Sequence, residues 1–320
     1  MPGTVAHLSR FFWRTQTEPI ILVTGATGWL GRSVLHELQR LIPANCFNEH
    51  VYAFGSKHGL IQSTAYKDGD MISVPIYSLQ EMASIAKGRD IRVVHMAFLT
   101  RDRLSSYGYS SFVDTNCWIT DTVCHAISLA KDSRIVDISS GAAALTEERR
   151  ESTVHTSVDP YGFMKLREER LLSDLSLTQV FRIYALTGRF IRDPERFAIG
   201  DFLLSALKGT PIHIKASGPV IRGYVAASDV AQVVLCWLMS QQDSCLPVSA
   251  VTHTVTLATL ASSIAIMFNL PPVALSDFVD SPSSYSHSPS SFLDMMQSFG
   301  LRPMALGDQI RETARGLGSA

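Results

Sequence analysis

The stretch "IILVTGATGWLG", residues 20–31, decides the fold. Ile20 to Val23 form an apolar run of strand length that ends in Thr24 and Gly25. From residue 29, "WLGRSVLHELQRLI" carries apolar residues at helical spacing. Between strand and helix stand Gly25, Gly28 and Gly31. Gly25 permits a tight turn, Gly28 lets the backbone approach a pyrophosphate, and Gly31 allows the helix to pack close to the strand. The helix N-terminus then faces the anion, with Thr27, Trp29 and Leu30 completing the loop.

Strands and helices alternate outward from this loop. "HVYAFG" (50–55), "IRVVHMAF" (91–98), "RIVDIS" (134–139) and "LTQVFRIY" (177–184) read as strands, with helices over 116–130 and 161–175. This order predicts an α/β fold, a Rossmann-type doubly wound parallel sheet with ligands at the carboxyl ends of its strands. After residue 185 the pattern changes. "FAIGDFLLSALKG" is helical, "PIHIK" (211–215) and "VIRGYVAA" read as short strands, and helices follow, including one over 256–268. "DSPSSYSHSPSS" (280–291) is loop chemistry, and the last helix starts near Met304 or Gly307. The expected organisation is an arm at 1–19, a dinucleotide-binding domain at 20–185 with about 224–250, and a smaller C-terminal α+β substrate lobe from 186–223 and 251–320.

Composition narrows the class. The 320 residues are 46% hydrophobic and 18% charged, with a net charge of −1. With no basic or acidic block, nucleic acid and an anionic membrane surface are poor partners. No apolar run is long enough to span a bilayer. The five cysteines are scattered with no CxxC pair, which implies reduced thiols and a cytoplasmic setting. The ten histidines show no metal-ligand spacing, so no metal is expected. The arm has Arg10 and Arg14 but no secretory apolar core, and reads as a segment packing Phe11, Phe12 and Trp13.

Tyr161 and Lys165, in "YGFMK", lie at i and i+4 on one helical face. A free phenol is a poor base at neutral pH, and a nearby ammonium favours its phenolate. The glycine loop together with this pair resembles the extended subgroup of the short-chain dehydrogenase/reductase superfamily. That group includes nucleotide-sugar epimerases, dehydratases and 4-ketoreductases, and the resemblance covers roughly residues 20 to 315. It implies that Tyr161 moves a proton while a hydride crosses to or from a nicotinamide, and that Lys165 holds the nicotinamide ribose. It implies further that Ser140, or less firmly Ser139, bonds the same substrate oxygen. Ala97 matches the strand end beneath the cofactor, with Thr100 nearby on the substrate side. Asn116 matches an asparagine in the next helix, with a purely structural amide as the alternative, and Tyr184 belongs with the cofactor set. Arg222 matches an arginine for the nucleotide diphosphate, and His213 lies in the segment edging the nucleoside. Where the family often has asparagine, this chain has Ala185. Asp229 reads as structural.

An acid at the end of the second strand would favour NAD(H). That strand instead ends in "AFGSKHG", where Ser56 and Lys57 suit a 2′-phosphate. NADP(H) is therefore favoured, with NAD(H) as the alternative. "VDISSGAAAL" (136–145) adds negative information. Where the family's 4,6-dehydratases carry an Asp-Glu pair, this chain has Gly141 and Ala142, and no cysteine lies between Cys124 and Cys236. Glu147, Glu148, Glu151, His155 and Asp159 read as a solvated loop. What remains is hydride transfer with one proton. The first reading is reduction of a 4-keto nucleotide sugar, the second is 4-epimerisation, and a third is a dinucleotide-binding sensor or scaffold without turnover. The resemblance also implies a homodimer, formed through helices 116–130 and 161–175.

Overall fold

A computed structural model describes residues 19–63, 72–151, 159–243, 245–273 and 281–318. Residues 1–18 of the expected arm, and His155, lie outside the described residues. Residues up to Arg182 form one compact unit with Ala231–Val248, and Ile183–Val230 with the residues from Ser249 onward form a second.

The first unit runs β1 (Ile20–Thr24), α1 (Trp29–Leu41), α2 (Ala44–His50), β2 (Val51–Gly55), β3 (Gly59–Ser63), β4 (Ile72–Ser78), α3 (Met82–Ala86) and β5 (Asp90–His95). It continues through α4 (Leu104–Tyr107), α5 (Tyr109–Ser128), β6 (Asp132–Ser140), α6 (Gly141–Glu151), α7 (Pro160–Leu175) and β7 (Leu177–Ile183). Strands β4, β2, β1, β5 and β6 pair in parallel in that order, with β7 beyond β6 and β3 antiparallel on β4. The order reverses at β1, so the ends of β1 and β5 flank the switch point where α/β sheets take ligands. Helices α5 and α7 bury Ile119, Val123 and Leu172 against Leu22, Phe54, Val93 and Ile135 of the strands. Every residue of β1 is buried, as a central parallel strand requires.

The second unit contains β8 (Ala185–Thr187), α8 (Ala198–Leu207) and β9 (Val220–Ala226). Helix α9 (Ala227–Leu238) carries the chain back to the first unit, and β10 (Val248–Ala250) pairs with β7. The chain then forms β11 (His253–Thr256), α10 (Leu257–Met267), β12 (Ser283–Tyr285), α11 (Ser290–Ser298) and α12 (Leu306–Gly318). Strand β9 pairs antiparallel with β11 and in parallel with both β8 and β12. The core gathers Ile199, Leu203, Leu260, Ile264 and Ile310 around Tyr224. Thr187 donates to Gln309 at 2.8 Å, and the Gly188 N–H donates to Thr313 at 2.8 Å, tying β8 to α12. Asp229 accepts the Met304 N–H at 2.9 Å, tying α9 to the segment before α12.

Four expectations about elements need correction. "PIHIK" is not a strand. Ile212 and Ile214 join the second core, but the backbone there enters no ladder. The 280–291 segment is not all loop, because β12 pairs with β9 through Ser283, Ser284 and Tyr285. Glu147 and Glu148 sit on α6 rather than in a solvated loop, and Asp159 caps α7. Strand β5 stops at His95, three residues before the expected Phe98.

Candidate active site

The glycine loop is built as its spacing requires. Gly25 has φ +66°, and a Cβ on it would sit 2.7 Å from the Met96 carbonyl carbon. A Cβ on Gly31 would lie 2.3 Å from the Gly25 carbonyl oxygen, so α1 can begin this close to β1 only with glycine there. The Gly28 N–H donates to the Gly25 carbonyl at 2.9 Å and closes the turn. Thr27 is exposed, while Leu30 is buried under the loop. The N-cap of α1 is Gly28, which supplies no side-chain cap, and the first turn holds no acid. The helix therefore offers its N-terminal N–H groups, and its positive dipole end, to an anion.

A buried chain of hydrogen bonds joins this loop to α7. The Thr24 hydroxyl accepts the N–H groups of Met96 at 3.0 Å and Ala97 at 3.2 Å. With both lone pairs used, its proton is left for His95 Nδ1, 2.7 Å away. The proton of His95 is thereby assigned to Nε2, which donates to Glu168 at 3.2 Å. Glu168 also lies 3.0 Å from the Thr120 hydroxyl and accepts from Lys165 Nζ at 2.6 Å. Burial pushes the Glu168 carboxyl up, but the Lys165 ammonium and His95 outweigh it and hold the group down at about 2. Burial pushes the Lys165 ammonium the other way, and the negative charge of the acids around it, Glu168 foremost, more than compensates, raising it.

Asp159 positions Tyr161. Its carboxylate accepts the Tyr161 N–H at 3.2 Å, and Pro160 takes the first helical position. Arg101 bonds Asp159 and lies with its guanidinium carbon 5.7 Å from the centre of the Tyr161 ring. Phe98 meets that ring edge-on at 5.8 Å and offers its own face to Lys165 Nζ at 4.1 Å. Lys165 also donates to the Ile138 carbonyl at 2.9 Å. Tyr161, Lys165 and the end of β6 are thus gathered in one place.

The two serines at that strand end point to different partners. Ser139 donates to Glu169, which Arg182 holds through Nε at 3.0 Å and Nη2 at 2.7 Å. Ser140 accepts the Ala142 N–H at 3.2 Å at the start of α6. Ala142, Ala143 and Ala144 are buried, and the inert run is packing surface for α7. A Cβ on Gly162 would come within 2.5 Å of the Ala142 carbonyl oxygen.

The other expected residues have these surroundings. Asn116 is fully buried and grips the Leu99 backbone, accepting its N–H at 2.8 Å and donating to its carbonyl at 3.4 Å. Thr100 is exposed and bonds Asp102. Ser56 and Lys57 are exposed beyond β2. In the second unit, Tyr184 packs on Tyr285 with ring centres 5.0 Å apart, Arg222 Nη1 donates to the Ile221 carbonyl at 2.9 Å, and His213 is exposed.

A family model described as the NAD dependent epimerase/dehydratase family matches residues 21–245. The chain belongs to that family. No curated protein matches it. Among solved structures, it is similar to an epimerase from Methanothermobacter thermautotrophicus, with a TM-score of 0.73 and 14% identity over 99% of this chain and 95% of that one. It is also similar to MoeE5 in complex with UDP-glucose and NAD, with a TM-score of 0.67 and 20% identity over 94% and 99% of the two chains. A UDP-glucose 4-epimerase from Thermus thermophilus in complex with NAD gives a TM-score of 0.66 and 19% identity, again over 94% and 99%.

A dinucleotide of the kind this family uses fits the first unit. The glycines at 25 and 31 let the turn close tightly on its own backbone, where a Cβ at either position would collide, and the α1 N-terminus that this turn presents is uncapped by side chains. Sequence reading passed over several residues beside this site. Phe98, Arg101, His95, Asp137 and Glu168 match no motif, and only the fold brings them to Tyr161 and Lys165. Glu81 is another. It closes a capping box on Ser78 and reaches His58 at 3.2 Å, which brings a carboxylate to the loop after β2. The absence of an acid from "AFGSKHG" therefore does not leave that loop purely basic. No helix among the described residues is long and apolar enough to cross a membrane.

Proposed function

We propose that this protein is an NAD-dependent nucleotide-sugar 4-epimerase in which Tyr161 is the acid/base. The observation that carries this reading is the composition of the space around Tyr161. Lys165 supplies one buried ammonium and Ser140 one hydroxyl, Gly141 and Ala142 supply no titratable side chain, and Asp159 is committed to the α7 cap and to Arg101. Such a site can move one proton at one oxygen. Elimination of water, or inversion at a carbon flanking a ketone, would need a second acid/base.

NAD, when bound, would supply the hydride acceptor and donor for the sugar carbon. Tyr161 accepts the proton of the C4 hydroxyl in one direction and gives it back in the other. Lys165 keeps positive charge beside the phenol. Ser140 bonds the same oxygen. Gly25, Gly28 and Gly31, with the first turn of α1, hold the pyrophosphate, and Asn116 keeps the loop after β5 in shape. In the second unit, Arg222 is assigned to the nucleotide diphosphate, for which a guanidinium fork is suited. Two copies pairing through α5 and α7 complete the proposal.

Two considerations move the reading from 4-keto reduction by NADPH to epimerisation with NAD. Glu81 brings negative charge to the loop that Lys57 was expected to dedicate to a 2′-phosphate. The related structures solved with a dinucleotide hold NAD, and two of them are 4-epimerases. The test is direct. Purified protein should release NAD+ on denaturation, detected by mass spectrometry, and should interconvert a UDP-hexose with its C4 epimer without added cofactor. Tyr161→Phe should lose about 10²–10⁴-fold in turnover while retaining NAD. Turnover of the phenylalanine variant at the wild-type rate would remove the mechanism, and stoichiometric NADPH consumption would restore the reductase.

A further inference from the structure

Lys165 shares its enclosure with more acid than it needs. Its side chain is only 4% exposed, and its ammonium donates to Glu168 and to Ile138 while facing Phe98. Glu168 is 0% exposed. Asp137, on β6, is also 0% exposed, no N–H or hydroxyl among the described residues donates to its carboxyl oxygens, and the group it faces is the Glu168 carboxylate. A buried carboxylate without a donor is costly, so Asp137 is the neutral member. Burial first, and then the charge of Glu168, raise its carboxyl well above the usual range. The remaining charged groups are accounted for. Glu169 is taken by Arg182, which also holds Glu147 of α6 at 2.7 Å. Arg101 is paired with Asp159 at the ring of Tyr161, and His95 donates to Glu168. Two carboxyls, Glu168 and Asp137, thus share one negative charge opposite one ammonium.

We propose that Glu168, with Asp137 as its protonated reserve, is a positioning residue that governs how much of the positive charge of Lys165 reaches Tyr161. This rests on the reading of Tyr161 and Lys165 as the acid/base pair. With Glu168 ionised, the lysine acts on the phenol as half of an ion pair. Loss of Glu168 alone lets Asp137 ionise and take its place, because the repulsion that kept it neutral is gone. Loss of both leaves the ammonium uncompensated.

Two measurements on the purified protein at matched cofactor content test this. The first is infrared spectroscopy of carboxyl stretching at neutral pH. A buried protonated carboxyl band should be present in the wild type and absent in Asp137→Asn. It should also be absent in Glu168→Gln, where Asp137 becomes ionised. A band that persists in Glu168→Gln overturns the proposal. The second follows the Tyr161 phenol by NMR of ¹³Cζ-labelled tyrosine, assigned with Tyr161→Phe. Relative to wild type, the titration midpoint should fall by about one unit in the double variant Asp137→Asn/Glu168→Gln, and stay within a few tenths in Asp137→Asn and Glu168→Asp. An unmoved midpoint in the folded double variant also overturns the proposal. Adding Lys165→Met to the double variant should raise the midpoint again. If it does not, the Tyr161–Lys165 reading itself has failed, which separates the two outcomes. Should the double variant not fold, the infrared result on the single variants still decides.

Discussion

At the scale of the residue, Glu168 links stability to acid. Its carboxyl is held down at about 2 in the folded protein, against an ordinary unfolded value near 4.3. The folded state therefore binds the proton less well than the unfolded state. The stabilisation is complete above the unfolded value and is lost as pH falls from about 4.5 towards 2. A difference of that size corresponds to about 3 kcal/mol. Urea denaturation of Asp137→Asn and Asp137→Asn/Glu168→Gln at pH 6 and pH 3 checks it, and the single variant, which keeps Glu168 without Asp137 beside it, should lose more stability across that interval. Asn116 is the second residue to test. Asn116→Ala strips two partners from the Leu99 backbone and is expected to cost about 1–3 kcal/mol. Unchanged stability would return Asn116 to a role at the ligand. Gly25, Gly28, Gly31, Tyr161 and Lys165 were legible in the sequence because their spacing is set by local geometry. Glu168, Asp137 and His95 were not, because their roles exist only where β5, β6 and α7 meet.

At the scale of the element, the α6–α7 pair sets the place of Tyr161. Gly162 follows the tyrosine, and a Cβ there would meet Thr146 Oγ1 at 2.3 Å and the Ala142 carbonyl at 2.5 Å. Gly162→Ala should push the helices apart, cost about 1–3 kcal/mol in thermal or chemical denaturation, and lower kcat more than it changes NAD retention. Equal kcat would show that the spacing is not coupled to the phenol. The same pair shows where sequence reading ran out. "TEERRE" looks solvated because its charges dominate, yet its small residues upstream bury against α7 and carry the helix through Glu151. Strand β12 is Ser-Ser-Tyr, with no alternation to announce it. It becomes a strand only because β9 offers an edge, with Ser283 opposite Val220. Strand β1 needed no such help, since five buried residues before a glycine are unmistakable.

At the scale of the whole molecule, two cores separate two duties. The first unit carries the residues proposed to hold the dinucleotide and the second carries Arg222, proposed for the nucleotide diphosphate, so their failures should separate in kinetics. Arg222→Met should raise KM for the nucleotide sugar at least tenfold while released NAD stays stoichiometric. Gly31→Ala should do the reverse and empty the protein of NAD. Loss of both properties in either variant would mean that the units are not independent in this sense. The division between the units is not a single cut in the chain. Arg134 lies 4.0 Å from the centre of the Trp237 ring, and Gln179 donates to the Leu246 carbonyl at 2.8 Å. Both partners come from α9 and the segment that follows it. A proteolytic or cloned fragment ending at Arg182 would therefore keep the glycine loop and the Tyr161–Lys165 pair yet lack the piece that seals its own interior. It should accumulate as insoluble protein until residues 231–248 are supplied.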